Sequence, residues 1–141
     1  METFFFLAAA VFTFIAAAIH LYICCLELPL FGSPKFRKTF KTKPEHHDLL
    51  RAPFNNLGVY NGAIGTLTLV GLCLMLLATP TEGGSPAGFL LGLGLGMTTF
   101  GLCVMLIAGN YLFLTAPDKR RAALVQALPP LLALCAWVAW L

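Results

Sequence analysis

The chain has 141 residues, of which 59% are hydrophobic and only 11% charged, and its formal net charge is +3. About a quarter of the residues in a soluble domain are charged, so this composition excludes a water-soluble globule: it holds too few charges to cover one. Nucleic acid is excluded as a partner too. All nine basic residues fall in two short stretches beside apolar runs, a pattern that orients a membrane protein and does not build a phosphate-binding face.

The apolar residues form four blocks, at about 3–30, 54–78, 87–115 and 122–141. Each approaches or exceeds the roughly 20 residues that cross a hydrocarbon core of about 30 Å. The first block lacks a basic leader and outruns the 7–15 residues typical of a signal-peptide core. It is therefore expected to remain as a permanent helix. Within it, His20 and Glu27 stand seven residues apart, on one helix face. Pro29, Gly32 and Pro34 are expected to end it.

A loop at 31–53 follows, holding Lys35, Arg37, Lys38, Lys41, Lys43 and Arg51 and broken by Pro44. His46 and His47 in this loop are expected to be solvated, and no metal site is expected. The second span opens with Asn55, Asn56, Tyr60 and Asn61, where Asn56 and Tyr60 share a face at i, i+4. Gly58 and Gly62 lie in the same stretch. The middle loop, TPTEGGSPAG, has no basic residue and carries only Glu82; Pro80, Gly83, Gly84 and Pro86 are expected to make its turn.

The third span begins with Gly88, Gly92 and Gly96, which share one face, and ends near Asn110 and Tyr111. Small residues at four-residue intervals let two backbones approach closely in lipid. This face is expected to have a close neighbour, within the chain or in a second copy. After Pro117 and the basic run Lys119, Arg120 and Arg121, the last span carries Gln126, Pro129 and Pro130. The two prolines cannot donate backbone hydrogen bonds, so a kink is expected there, with free carbonyls near Val125 and Gln126. Trp137 and Trp140 are expected to anchor this span at the outer interface. The five cysteines all fall inside spans without C-x-x-C spacing, and read as small packing residues.

The basic residues occupy alternate loops, as an even-numbered bundle requires. The positive-inside rule places those loops in the cytoplasm. The expected architecture is thus all-α: one transmembrane domain, an up-down four-helix bundle in the inner membrane, with both termini outside. His20, Glu27, Asn55, Asn56, Tyr60, Asn61, Asn110, Tyr111 and Gln126 then all lie in the cytoplasmic half. Ionisable groups are costly against lipid and should face the bundle interior. These residues are expected to form a polar pocket facing the cytoplasm, closed on the outer side by apolar side chains.

The stretches HLYICCLEL, NLGVYNG, AGNYLFLT and LVQALPPLLAL, running through all four spans, resemble the domain-of-unknown-function 1304 family of small bacterial membrane proteins. Leu28 stands where that family usually has Met, and Phe31 where Trp is common. The resemblance implies the four-span fold and the location of the site, and no established chemistry. Arg51 and Asn55 also resemble the R-x-x-x-N-x-x-E stretch of the membrane-associated eicosanoid and glutathione metabolism proteins, which are trimeric four-span enzymes. Gly58 replaces the Glu, and the thiolate-activating Arg of those enzymes has no counterpart here.

Three function classes follow. The first is a protein that binds or transports a small molecule, with His20 and Glu27 at the site. The second is a membrane-embedded enzyme acting on a lipophilic substrate. The third is an accessory subunit of a membrane complex. The first is preferred, because no nucleophile–base pair or metal-ligand spacing is visible. No cofactor is expected, the bilayer is the surrounding partner, and a chain this small is expected to form a homo-oligomer.

Overall fold

The computed structural model describes residues 1–78 and 86–141, and these are helical apart from short connections. Five helices run in order: α1 (Glu2–Glu27), α2 (Pro34–Phe40), α3 (His47–Leu77), α4 (Pro86–Thr115) and α5 (Arg120–Trp140). Single 3-10 turns at Pro44–His46 and Pro117–Lys119 lead into α3 and α5. Helices α1, α3, α4 and α5 are each long and apolar enough to cross a membrane. They pack in a ring in which α1 and α4 each touch both α3 and α5, with only slight contact between α1 and α4 across the diagonal. Large apolar side chains such as Phe4, Phe14, Leu67, Phe100 and Val138 cover the outer surface, as lipid as solvent allows. The turn expected at Pro80, Gly83 and Gly84 lies outside the described residues.

The helix boundaries differ from expectation at the basic end. α1 stops at Glu27, before Pro29, and α3 begins at His47 with Pro53 inside it. Pro53 removes one backbone donor near the start of a 31-residue helix, a loss that aromatic packing offsets. The ring of Phe36 lies 4.6 Å from Phe31 and 5.0 Å from Phe54, centroid to centroid, and Phe36 is fully buried. The 31–53 segment is therefore not a loop throughout. Ser33 caps α2 by accepting from the Phe36 N–H, Pro34 occupies its first turn, and Lys41 ends it in the left-handed region at φ 56°. His47 is not solvated as expected; its ring packs 5.5 Å from Phe31 and only His46 is exposed.

Glycines set the helix contacts, but not the ones expected. A Cβ on Gly94 would lie 2.6 Å from the Gly71 carbonyl oxygen, and one on Gly71 would lie 2.7 Å from that of Gly94. At this crossing, α3 and α4 touch backbone to backbone. Gly101 sits against Thr68, and Gly109 against Ala127 of α5. On α3, Gly58 faces Glu27 and Leu28 at the end of α1, and Gly62 and Gly65 face Cys24 and Leu21 within it. Among the described residues the 88/92/96 face has no neighbour: a Cβ at any of the three would meet open space. The reason is angular. Gly92 and Gly96 each lie two residues from Gly94, about 200° around the helix.

The two ends of the bundle differ in character. At the terminal end, Trp137 is 2% exposed and donates its indole N–H to Thr13 Oγ1 at 3.0 Å. Its ring meets Phe6 at 5.6 Å, and Phe6 meets Trp140 at 5.3 Å. Trp137 is thus a core residue and not the surface anchor expected, because the Thr13 hydroxyl satisfies its polar edge inside. α5 runs through Pro129 and Pro130 as one helix. At the other end, Lys41 pairs with Asp118 at 2.9 Å, and Lys119 donates to the Phe40 carbonyl at 3.4 Å. These contacts hold both basic segments together at one end.

Candidate functional site

The polar side chains of the interior meet where α1 crosses α3. Gly58, Asn61 and Gly65 follow an i, i+3, i+7 spacing, so they share the face of α3 that lies against α1. The glycines let the backbones come close, and Asn61 then reaches across. Its Nδ2 donates to Glu27 Oε2 at 2.8 Å. Glu27 is 3% exposed, and a carboxyl group buried so deeply needs such a partner.

Two turns deeper on α1, His20 is also buried. Its Nδ1 lies 2.9 Å from the carbonyl oxygen of Ala16. A carbonyl can only accept, so Nδ1 carries the hydrogen and a neutral ring keeps Nε2 as a free acceptor. His20 and Asn61 form the polar part of a cavity of about 330 Å³. Its walls are apolar: Leu57 and Ile64 from α3, and Val104, Met105 and Ala108 from α4. Tyr60 stands at the rim, largely exposed.

Two features of this cavity depart from the sequence reading. Its exposed lining residues, Leu57 and Tyr60 of α3 and Ala108 of α4, place its opening on the flank of the bundle between those helices, where a mouth toward the basic end was expected. It is also mostly apolar, with polarity confined to one side. The remaining candidates are dispersed. Asn56 is exposed, because the face it shares with Tyr60 turns away from α1. Asn110 and Tyr111 are exposed at the end of α4. Asn55 is half-buried with its Oδ1 unpartnered, and Gln126 lines a separate groove between α1 and α5. The structure thus brings together His20, Glu27, Asn61 and Tyr60. Sequence reasoning missed the wall residues of α4, since Val104, Met105 and Ala108 carry no polar signal.

Among the described residues no group of three or more His, Cys, Asp or Glu side chains could hold a metal ion. The five cysteines are free thiols.

The model of a family described as "Protein of unknown function (DUF1304)" matches residues 14–138. No curated protein and no solved structure matches the chain.

Proposed function

The chain belongs to the DUF1304 family, whose description assigns no activity, and we propose from its site that it is a membrane receptor for a small apolar molecule bearing a hydroxyl or amine donor. The observation that carries this reading is the cavity of about 330 Å³ in which apolar walls surround His20 and Asn61, whose Nε2 and Oδ1 are left to accept. Nδ1 of the ring is committed to Ala16, so a neutral His20 offers only an acceptor and selects for a donor, while Asn61 keeps its amide oxygen and the one N–H not given to Glu27. Phe6, Trp137 and Trp140 fill the terminal end of the bundle, which favours binding over passage through the bundle.

In this reading the chain crosses the inner membrane four times, with the basic end in the cytoplasm and both termini outside, as the charge distribution favours. The Gly88/Gly92/Gly96 face, open in the single chain, would be the contact between copies of a homo-oligomer.

The test uses 1-naphthol, a fluorescent phenol, titrated into the protein in lipid nanodiscs. His20→Phe keeps a ring but removes the acceptor, and one lost hydrogen bond weakens binding about fivefold. Ala108→Trp fills the mouth and abolishes binding. If both variants bind the probe like the parent, the cavity is not a binding site.

A further inference from the structure

A second cavity, of about 400 Å³, lies between α1 and α5, beneath the C-terminal end of α2. It shares no lining residue with the site above, which lies among α1, α3 and α4. Its floor is apolar: Ile19, Ile23 and Leu26 of α1, with Leu112 and Val125 opposite. Along α1 this floor runs about 10 Å, seven residues at ~1.5 Å each. At the basic end the groove changes character. Lys119 and Arg121 line it there, with Thr39 of α2 and Gln126 of α5 beside them.

The two cations retain donor capacity. Lys119 donates to the Phe40 carbonyl, and an ammonium has three hydrogens, so two remain. Arg121 is exposed and makes no ion pair or hydrogen bond among the described residues. A third cation stands close by: Lys35 Nζ sits 4.8 Å from the ring centre of Tyr22, which also lines the groove. No carboxylate lines it. Asp118, next to Lys119 in sequence, is engaged by Lys41.

The charges and the apolar floor are complementary to one kind of occupant. A free anion would find donors at the mouth and nothing to favour it along the floor. A neutral lipid would find the floor and leave the cations without a counter-charge. We propose that the groove between α1 and α5 holds one anionic phospholipid, with its phosphate on Lys119 and Arg121 and an acyl chain along Ile19, Ile23 and Val125. Lys and Arg placed just beyond a membrane span attract acidic lipid headgroups, by about fivefold in affinity per charge.

Native mass spectrometry of the full chain in detergent, titrated with dioleoyl phosphatidylglycerol or dioleoyl phosphatidylcholine, tests this. One phosphatidylglycerol should be retained per chain with at least about fivefold preference over phosphatidylcholine. Arg121→Gln should reduce that preference to near parity, and Lys119→Gln/Arg121→Gln should abolish it. Lys38→Gln/Lys43→Gln removes two charges from the same end but outside the groove, and should leave the preference in place. The proposal is overturned if the control pair lowers the preference as much as the groove pair does, since the effect is then general surface charge. Equal binding of the two lipids overturns it as well. So does displacement of the lipid by millimolar inorganic phosphate, which would make the site one for free anions. A circular dichroism melt of each variant separates loss of binding from loss of fold.

Discussion

Asn61 donates to a carboxyl group that is 3% exposed and has no other side-chain partner among the described residues. Removing the amide leaves the Glu27 carboxyl buried and unpaired, a loss worth about 1–3 kcal/mol or more for a charged group. Asn61→Leu should therefore lower the melting temperature in detergent by several degrees, whereas Asn56→Leu, on an exposed face, should change stability by less than about 0.5 kcal/mol. Equal effects of the two substitutions would mean that the contact with Glu27 carries no weight. The importance of Asn61 over Asn56 was readable in the sequence. Gly58, Asn61 and Gly65 share a face, and small residues mark where a neighbouring helix comes close. Pairing Asn56 with Tyr60 at i, i+4 singled out a real face, but an exposed one. The walls Val104, Met105 and Ala108 were not readable, because an apolar side chain lining a cavity looks the same in sequence as one facing lipid.

For the helices, one glycine pattern packs and the other does not. Gly94, Gly101 and Gly109 lie on the face of α4 that meets α3 and α5, together with Thr98, Leu102 and Met105, all of which are buried. Their spacing of seven and eight residues is that of a helix seam. The more conspicuous four-residue run of Gly88, Gly92 and Gly96 faces outward. Gly94→Leu must push against the Gly71 backbone, which cannot give way as a side chain does, and should cost about 1–3 kcal/mol or prevent folding. Gly92→Leu should leave the melting temperature of the single chain unchanged. If it dissociates an oligomer in native mass spectrometry without changing that temperature, the open face is where copies meet. A drop in the melting temperature of the monomer would contradict the outward orientation of Gly92. Four long apolar helices, their order and the basic end were legible because length and charge are gross properties. The helix α2 within 31–53 was not. Its seven residues are too short for a periodic signal, and the burial that stabilises it comes from Phe31 and Phe54 outside it.

In the whole molecule, the pair between Lys41 and Asp118 joins two segments far apart in sequence, so both basic stretches occupy one end of the bundle. A phosphatase reporter inserted at Gly84 should be active outside the cell, and one fused after Lys41 inactive. The reverse result would invert the proposed orientation without affecting the fold. The sideways mouth between α3 and α4 has a different consequence. If the proposed receptor role holds, a ligand entering there comes from the bilayer, so the concentration that matters is the amount dissolved in lipid, not the amount in water. The apparent dissociation constant, counted against total ligand, should then rise in proportion to the lipid added at fixed protein. For a series of phenols it should track the oil–water partition coefficient. Acyl chains of the host membrane would reach the same opening, so each such binding event would also be an exchange. Occupancy will accordingly depend on how well the surrounding lipid itself fills the space beside His20.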